Sequence, residues 1–382
     1  MIGCLDLDSF YVSCEIAKNP SLSGKPVVVS GGDGVRGVVL SSSYEARKYG
    51  IRSGMPLFRA RDLYPYFLIV EPDFKFYEEV SRGIKELIFS YAPVVEQASI
   101  DEFYFSLEGC ERLYRYDFFN VIFEIRKKIK ENFKIPSSAG LSSNKCTSKI
   151  LSKVAKPDGQ IYVPEGKERN FLADLPLKFI PGLGKKTGEK LQNMGFERIG
   201  DLQICPKEIL MTILGKEGEE IQRKALGTFE EPFFLNYVPK SIGKERTFFE
   251  EKINLNEILN ELFWIVEEVV FRMRALSLSA RKMEIKLRYG DFETKTSSYT
   301  FKEPVDGYKI IQRKAKEIFL SLYKRRVRVR LIGFTLSGFE KCSGQEILDI
   351  FKEKRENQIL KTVDFLKEKF GSKCIYFGGS KV

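Results

Sequence analysis

The chain has 382 residues, 43% of them hydrophobic, and a formal net charge of +11, so we expect a folded protein of roughly two to four compact units. Its seven cysteines form no CxxC pair, which argues against zinc ribbons and disulfide frameworks, and its lack of histidine excludes every catalytic chemistry that needs an imidazole. The sequence has no basic leader and no run of about 18 apolar residues, so we expect a cytoplasmic protein.

The first part of the chain alternates short strands with helices. Apolar runs bounded by turn residues predict strands at 1–5, 25–30, 37–41, 94–95 and 103–105. Helical spacing and composition predict helices at 43–48, 77–92 and 118–133. Such alternation is typical of an α/β or α+β unit with a carboxylate-bearing sheet.

The composition changes at 164–181, and short helical segments separated by glycines follow to about residue 227. Residues 230–239 have the composition of a linker. The final unit is predicted as strand (247–249), helix (255–276), two strands around 289–291, helix (305–323) and strand (327–336). This order is a βαββαβ layout.

Two acidic clusters adjoin predicted strands, DLD at 6–8 and DE at 101–102. Taken singly, Asp8 or Ser9 has the alternative role of a helix cap, and the second cluster that of a hairpin turn. Considered together, carboxylates on neighbouring strands repel each other unless a cation lies between them. Mg²⁺ prefers such oxygen ligands and supports phosphoryl transfer without histidine, so the clusters point to a magnesium site.

Five motifs, in order, resemble those of the Y-family DNA polymerases, in particular the DinB-type branch. They are DLDSFY (6–11), SYEARKYGI (43–51), SIDE (99–102), AKPDG (155–159) and IPGLG (180–184). The resemblance covers residues 1 to about 341. It implies a template-directed DNA polymerase that extends a primer with deoxynucleoside triphosphates, with low fidelity, lesion bypass and no proofreading.

The fold implied by the resemblance is an α+β multidomain right hand with a palm, small fingers, a helical thumb and a βαββαβ little finger. The implied bounds are 1–10 and 73–162 for the palm, 11–72 for the fingers, 163–229 for the thumb, 230–240 for a linker, 241–341 for the little finger and 342–382 for a tail.

The resemblance also assigns roles to residues of the first motifs. Asp6, Asp101 and Glu102 would be the catalytic carboxylates that hold two Mg²⁺ ions, together with the backbone carbonyl of Leu7, whereas Asp8 would be mainly structural. Tyr11 would be a steric gate that excludes the 2′-hydroxyl of a ribonucleotide. The implied nucleotide-binding residues are Phe10, Tyr11, Ser41, Tyr44, Arg47 and Lys156, and the implied roof over the templating base is Val38 and Leu40.

The segment 180–195 has the pattern of a helix-hairpin-helix, which binds DNA without reading its sequence. Gly182 and Gly184 allow a tight turn that presents backbone amides to a phosphate, and Lys185 and Lys186 add positive charge. A plain helical turn is the alternative.

The last unit is basic, with 21 Lys and Arg against 14 Asp and Glu between residues 241 and 341. Strand alternation predicts that Arg328 and Arg330 share one face, and Lys244 and Arg246 could extend this row along the duplex backbone. A solvated charged face is the alternative. Trp264, in an apolar helix, is most simply a core residue.

The tail contains a loose resemblance to the peptide by which bacterial polymerases bind the sliding clamp, with Gln345, Leu348, Ile350 and Phe351 as its contacts. A packed tail helix at 352–370 is the alternative. The expected partners are primer–template DNA and deoxynucleoside triphosphates, with the clamp as a further candidate, and the expected state is a monomer. Rival functions are a non-catalytic scaffold for bypass factors and a magnesium-dependent nuclease or cyclase. The intact Asp6, Asp101 and Glu102 argue against the scaffold, the helix-hairpin-helix and the basic last unit disfavour a cyclase, and a nuclease has no use for a steric gate beside Asp6.

Overall fold

The computed structural model describes residues 1–31, 37–115, 117–235, 238–325, 327–341, 352–371 and 374–375. The chain forms two compact units, Met1–Asn236 and Tyr237–Val382, which lies within the range expected from its length. Within the described ranges, no helix is both long enough and apolar enough to cross a membrane.

The first unit alternates strands with helices before ending in helices alone. Its elements are β1 (Ile2–Leu7), α1 (Phe10–Lys18), β2 (Val27–Gly31), β3 (Val38–Ser42), α2 (Tyr44–Lys48), α3 (Leu57–Leu63), β4 (Leu68–Val70), α4 (Phe74–Phe89), β5 (Val94–Gln97), β6 (Glu102–Ser106), α5 (Phe118–Phe133), β7 (Ser137–Ser142), α6 (Lys145–Val154), β8 (Gln160–Tyr162), α7 (Glu168–Ala173), α8 (Lys185–Asn193), α9 (Ile199–Ile204), α10 (Lys207–Leu214) and α11 (Glu217–Leu226).

A five-stranded sheet in the order β5-β6-β1-β7-β8 forms the centre of this unit. β1 pairs antiparallel with β6 and with β7, so it lies in the middle of the sheet. Leu5 and Leu7 point to the face covered by α4 and α5, where they join a large apolar core. Helix α6 covers the other face and approaches closely, since a Cβ on Gly140 would lie 2.2 Å from the carbonyl oxygen of Ser148.

Two smaller cores complete the first unit. A three-stranded sheet in the order β3-β2-β4 packs against α2 and α3 through Val28, Val39, Ile51 and Leu57. Helices α7 to α11 enclose a separate core that also takes in Ile150 of α6. The first unit therefore consists of a central five-stranded sheet and two smaller attached modules.

The second unit contains β9 (Ser241–Lys252), α12 (Leu255–Ala275), β10 (Leu278–Tyr289), β11 (Thr294–Val305), α13 (Tyr308–Leu322), β12 (Val329–Lys341) and α14 (Lys352–Phe370). The strands form an antiparallel sheet in the order β11-β10-β12-β9, and the predicted βαββαβ layout is confirmed. Helices α12 and α13 pack on one face of this sheet around a single apolar core.

The accuracy of the predicted element bounds varied along the chain. The helices predicted at 118–133 and 352–370 agree with α5 and α14 at both ends. By contrast, β9 spans Ser241–Lys252 although only 247–249 was predicted as strand. Most β9 side chains are polar and exposed, so its sequence lacks the apolar run that indicates a strand.

Candidate active site and nucleic-acid interface

The acidic residues of the two clusters meet at one end of the central sheet. Asp6 lies directly opposite Glu102 in the antiparallel pairing of β1 with β6. The amide of Leu7 donates a 2.9 Å hydrogen bond to the carbonyl of Asp101, which fixes the turn beside β1. The turn is closed by a 3.0 Å hydrogen bond from the Ala98 amide to the Glu102 carbonyl, so the predicted hairpin turn is present and carries the carboxylates.

Each of the two facing carboxylates is paired with a lysine. Lys156 binds Asp6, and Lys149 binds Glu102. Burial raises the pKa of Asp6 to about 6, because Lys156 offsets that effect only in part while Asp101 and Glu102 add repulsion. At this end of the sheet, burial and mutual repulsion therefore disfavour the charged form of the Asp6 carboxyl group.

The donor set fits a hard divalent cation, because every candidate ligand is an oxygen and the mutual repulsion of the carboxylates would be relieved by a dication. Across the described ranges, however, no three metal-ligating side chains converge on one point. The lysine pairs explain this arrangement, since they hold Asp6 and Glu102 in separate interactions.

Lys149 was not predicted as a functional residue. It lies on α6, one turn after Lys145, and faces the sheet at the carboxylate end. Burial disfavours its ammonium, but its hydrogen bond and charge interaction with Glu102 prevail and raise its pKa. The only sequence signal was the spacing of basic residues along an otherwise buried helix.

Asp8 is fully buried and serves as a hydrogen-bond acceptor for three elements. It accepts from the Tyr44 hydroxyl at 3.1 Å, the Ser138 hydroxyl at 2.8 Å and the Asp158 amide at 2.8 Å. The alternative of a helix cap is wrong, because Ser9 occupies the N-cap with a φ of 46° and no side-chain cap bond. Asp8 instead ties β1 to α2 and to the 155–159 motif.

Tyr11 lies in an aromatic cluster beside the carboxylates. Its ring stacks on Tyr77 with a centroid distance of 4.7 Å and an interplanar angle of 15°, and it meets Phe74 edge-on at 5.9 Å. Burial raises the pKa of Tyr11, and the charge of the nearby Asp101 carboxylate adds to this effect. Phe10 is buried beneath it in the core of the unit.

The predicted triphosphate-binding residues gather around Asp8. The guanidinium of Arg47 lies over the Tyr44 ring at 4.7 Å from the centroid, and its Nε donates to the Ser42 carbonyl at 3.1 Å. The Lys156 ammonium is 3.9 Å from the Asp8 carboxylate that accepts from Tyr44. These three side chains therefore lie within one small region next to Asp6.

The residues predicted around the templating base lie on β3. Val38 and Leu40 are exposed, with 45% and 37% of their surfaces accessible, whereas Ser41 is buried. The pairing of β3 with β2 shifts register between Val39 and Ser41, so Leu40 is the extra residue. Two aliphatic side chains thus face outward from the edge of the small sheet.

In the hairpin at 180–184, Ile180 is buried in the helical core, whereas Gly182 and Gly184 are exposed. Gly182 has a φ of +85°, a backbone conformation that residues with a side chain rarely adopt. Gly184 is the N-cap of α8, and no atom of the described residues lies within 4 Å of the position that a Cβ would take there. Lys185 and Lys186 begin α8 and are exposed. Backbone amides and ammonium groups are thereby presented together at a helix start.

The strand register contradicts the predicted row of cations in the second unit. Lys244 and Arg246 pair opposite Phe334 and Ile332, which are core residues on the helix side of the sheet. There Lys244 binds Glu268, Arg246 binds Glu261 at 2.6 Å, and both cations pack over the half-buried Trp264 ring.

Arg328 and Arg330 also depart from simple alternation. Arg328 is exposed and precedes β12. The pairing of β10 with β12 shifts register at Arg330, which is skipped between Val329 and Leu331. The guanidinium of Arg330 lies over the Phe292 ring at 4.6 Å. A bulge therefore separates these arginines from the predicted common face.

The open face of the second sheet carries a different set of polar side chains. Lys282, Glu284, Lys286 and Arg288 of β10 alternate with core residues and so face away from α12 and α13. Hydroxyl groups of the neighbouring strand share this face, at Thr294, Thr296, Ser298 and Thr300. We call this surface the open sheet face.

The predicted clamp residues Gln345, Leu348, Ile350 and Phe351 lie outside the described residues. The alternative of a packed tail helix is confirmed for α14. Its Lys367 forms a buried ion pair with Glu267 of α12, and Leu360 packs against the core of the unit.

Three segments of the chain match models of the impB/mucB/samB family: residues 5–153, its helix-hairpin-helix motif at 165–196 and its C-terminal domain at 239–349. The chain is 33% identical over 376 residues to DNA polymerase IV of Dehalococcoides mccartyi strain CBDB1, covering 98% of this chain and 96% of that protein. It is 31% identical to DNA polymerase IV 1 of Bacillus subtilis strain 168, covering 98% of this chain and 92% of the relative. The chain belongs to the Y family of DNA polymerases, in its DinB-type branch.

Solved Y-family polymerases share its fold. A Y-family DNA polymerase chimera of Dbh and Dpo4 is 27% identical with a TM-score of 0.78, covering 89% of this chain and all of that one, 100%. DinB from Sulfolobus solfataricus is 27% identical with a TM-score of 0.63, covering 88% and 98%. This Y-family polymerase therefore has an α+β multidomain fold and is a DNA-directed DNA polymerase of the translesion class that depends on a divalent metal.

Proposed function

We propose that this Y-family polymerase extends a primer by two-metal phosphoryl transfer, with Asp6, Asp101, Glu102 and the Leu7 carbonyl as ligands of two Mg²⁺ ions. The observation that carries the proposal is the register of β1 with β6, which brings Asp6 opposite Glu102 with Asp101 in the adjoining turn. When bound, such ions would lower the pKa of the primer 3′-hydroxyl and offset the charge of the departing pyrophosphate.

The lysines that pair with the carboxylates supply positive charge to the same reaction. The Lys156 ammonium lies near Asp8, which is bonded to Tyr44. From this position Lys156 would release Asp6 and bind an oxygen of the triphosphate instead. Arg47 is held over the Tyr44 ring, so its guanidinium is oriented before the nucleotide arrives. We assign Tyr44, Arg47 and Lys156 to the triphosphate, with Phe10 and Ser41 as buried supports of this region.

Tyr11 supports the role of a steric gate through its rigid setting. A ring stacked on Tyr77 and blocked by Phe74 has little freedom to move away from an added hydroxyl group. Val38 and Leu40 offer exposed aliphatic surface for the templating base, and their branched side chains leave less room above it than alanine would.

Duplex binding is assigned to two surfaces. The amides and lysines at Gly182, Gly184, Lys185 and Lys186 suit a backbone phosphate. The open sheet face offers Lys282 and Arg288 to further phosphates, whereas Lys286 is already paired with Glu245 at 2.8 Å. Exposed Arg328 lies beside the end of β10, where its carbonyl accepts a hydrogen bond from the Gly290 amide. We no longer assign Lys244 and Arg246 to DNA, because their charges are engaged by α12.

The domain bounds follow from the same assignment. The five-stranded sheet with α4 to α6 corresponds to the palm, β2 to β4 with α2 and α3 to the fingers, α7 to α11 to the thumb and the second sheet to the little finger. Primer–template DNA and deoxynucleoside triphosphates are the proposed ligands, by similarity to a solved insertion ternary complex of Dbh DNA polymerase that is 26% identical with a TM-score of 0.65. Clamp binding, a monomeric state and cytoplasmic localisation stay predictions from the sequence.

Primer extension with Mg²⁺ and four deoxynucleotides tests the catalytic assignment. The wild type should extend the primer, whereas Asp101→Ala combined with Glu102→Ala should reduce extension to background. Glu108→Ala, which removes an exposed carboxylate just beyond β6, is the matched control and should keep full activity. Equal extension by the wild type and the double variant, or none by the wild type, would overturn the proposal and favour a non-catalytic scaffold.

A further inference from the structure

An exposed aromatic cluster lies on the surface of the module formed by β2 to β4, α2 and α3. Tyr49 and Tyr64 stack with a centroid distance of 3.9 Å and an interplanar angle of 11°, and Tyr66 meets Tyr64 edge-on at 5.8 Å. Leu63 is adjacent, since its Cδ1 lies 3.6 Å from the position of a Cβ on Gly50. We call Tyr49, Leu63, Tyr64 and Tyr66 the tyrosine patch.

The patch exposes more apolar surface than the module needs for folding. Tyr66 is 79% exposed, Leu63 50% and Tyr49 46%, while the core of the module is built from other residues. Only Tyr64 packs against that core. Neighbouring large apolar side chains left open to water commonly mark a binding surface.

The surroundings of the patch are positively charged. Residues 45–66 carry five Lys and Arg but only two Asp and Glu. Lys48 precedes Tyr49, and Arg59 lies one helical turn before Leu63 on α3. Lys48, Arg59 and Arg61 are exposed and make no ion pair within the described part of the chain. This combination of flat aromatic rings and available cations suits a polyanion that also exposes aromatic faces.

Single-stranded DNA has these properties, and duplex DNA does not, because stacking between adjacent base pairs covers the faces of its bases. In this module the backbone that supports the predicted roof is bonded to the segment following α2. The Gly54 amide donates to the Val39 carbonyl at 2.7 Å, and the Val39 amide donates to the Met55 carbonyl at 2.9 Å. The patch therefore belongs to the same rigid module as Val38 and Leu40.

We propose that the tyrosine patch binds the unpaired template strand ahead of the templating base, with a base stacked on Tyr66 and phosphates contacted by Lys48 and Arg59. This inference rests on the proposed function, since it takes the module to be the fingers of the polymerase. Stacking on tyrosine tolerates any base, so the contact would guide the template without selecting its sequence.

Fluorescence anisotropy with two primer–templates tests the proposal. They share one duplex but carry either a single unpaired template nucleotide or about ten, a length comparable to known single-strand sites. The wild type should bind the long overhang more tightly. Tyr66→Ala should lose about tenfold in affinity for the long overhang, because one stacked base is removed, while its affinity for the short one is unchanged.

Tyr66→Trp, which keeps a flat ring, should retain the preference for the long overhang. Phe123→Ala is the matched control, because Phe123 is an exposed aromatic residue of α5 that is 48% accessible and lies outside the patch. Equal binding of both DNAs by the wild type, or an unchanged preference in Tyr66→Ala, would overturn the proposal. Failure of the proposed function would look different, because the wild type would then not extend even the primer with the short overhang.

Discussion

At the scale of single residues, the setting of Tyr11 makes sugar selectivity testable. Its ring is fixed by stacking on Tyr77, so a ribose 2′-hydroxyl would clash with a ring that has no room to move away. Discrimination by fit alone against one added hydroxyl is about a hundredfold, and we expect Tyr11→Ala to lose most of it while DNA synthesis is largely kept. Single-nucleotide insertion kinetics with ribo- and deoxynucleotides measure this change.

Tyr11→Phe is the control for that prediction. It removes only the hydroxyl group, so the stacked ring and the sugar selectivity should both persist. Unchanged selectivity in Tyr11→Ala would show that another group excludes ribonucleotides.

The pKa of Asp6 gives a second prediction at this scale. Burial, followed by the charges of Asp101 and Glu102, raises this pKa to about 6 against the opposing effect of Lys156. A protonated carboxyl must lose its proton before it binds a metal, so metal affinity should fall as the pH falls through about 6. Titration with Mn²⁺ between about pH 5 and 8, followed by electron paramagnetic resonance, measures this dependence.

The same shift has the opposite sign for the stability of the metal-free protein. A raised pKa means that the folded state holds the proton more tightly than the unfolded state. The contribution of Asp6 to the free energy of unfolding is therefore greatest at low pH and is lost as the pH rises through about 6.

In the Mn²⁺ titration, Asp6→Asn is the control and should bind Mn²⁺ weakly at every pH tested. A pH-independent Mn²⁺ affinity in the wild type would contradict the assignment of Asp6 as a metal ligand.

The sequence indicated the carboxylates but not the side chains that hold them. Asp6, Asp101 and Glu102 were accessible to prediction because they adjoin apolar strands and belong to recognisable motifs. Lys149 was not, because its pairing with Glu102 depends on α6 covering the β1–β6 end of the sheet. A tertiary contact between residues 47 positions apart has no local signature in the sequence.

At the scale of elements, β12 shows why alternation alone misplaced the cations. A period of two predicts a face only while the register is constant, and the bulge at Arg330 moves every later side chain to the opposite face. Lys244 and Arg246 were misplaced for a related reason. Their strand was predicted too short, so nothing revealed that Phe248, on the same side, belongs to the core.

The two faces of the second sheet give opposite predictions for salt dependence. Each phosphate contact contributes about one unit to the slope of log affinity against log salt concentration. Replacing both Lys282 and Arg288 by alanine should therefore reduce the slope by about two units. Replacing both Lys244 and Arg246 should leave it unchanged, because α12 already neutralises them.

Duplex binding followed by anisotropy over a range of salt concentrations provides the comparison. The two double variants remove the same number of charges from one sheet, so each is the matched control of the other. The opposite result would be a smaller slope in the double variant Lys244→Ala with Arg246→Ala and an unchanged slope in the double variant Lys282→Ala with Arg288→Ala. That result would support the row of cations predicted from the sequence.

At the scale of the whole molecule, composition and motif order predicted more than local patterns did. Length suggested several units, the absence of histidine directed attention to carboxylates, and the order of motifs indicated a right-hand polymerase. Composition and motif order could not predict which surfaces α14 contacts, because its sequence has the pattern of an ordinary charged helix. Its attachment depends on Lys367 and Asp364 meeting Glu267 and Arg274 of α12.

That attachment leads to a prediction about how the chain unfolds. Lys367 and Glu267 are each only 4% exposed, and removing one partner of a buried ion pair costs about 3–5 kcal/mol. Lys367→Met in the full chain should therefore destabilise the second unit by that amount, with little direct effect on the first. Trp264 is the single tryptophan and packs against the core of the second unit, so its fluorescence reports that unit alone.

Denaturant unfolding followed by Trp264 fluorescence should show a lower midpoint for Lys367→Met. Lys361→Met is the matched control, because Lys361 is exposed on the same helix and its replacement should change stability by less than about 0.5 kcal/mol. Equal midpoints for the wild type and Lys367→Met would mean that α14 contributes nothing to the second unit. A lower midpoint confined to Lys367→Met would make the tail helix part of the little finger rather than an appendage, so that deleting residues 342–382 removes folding energy as well as the predicted clamp peptide.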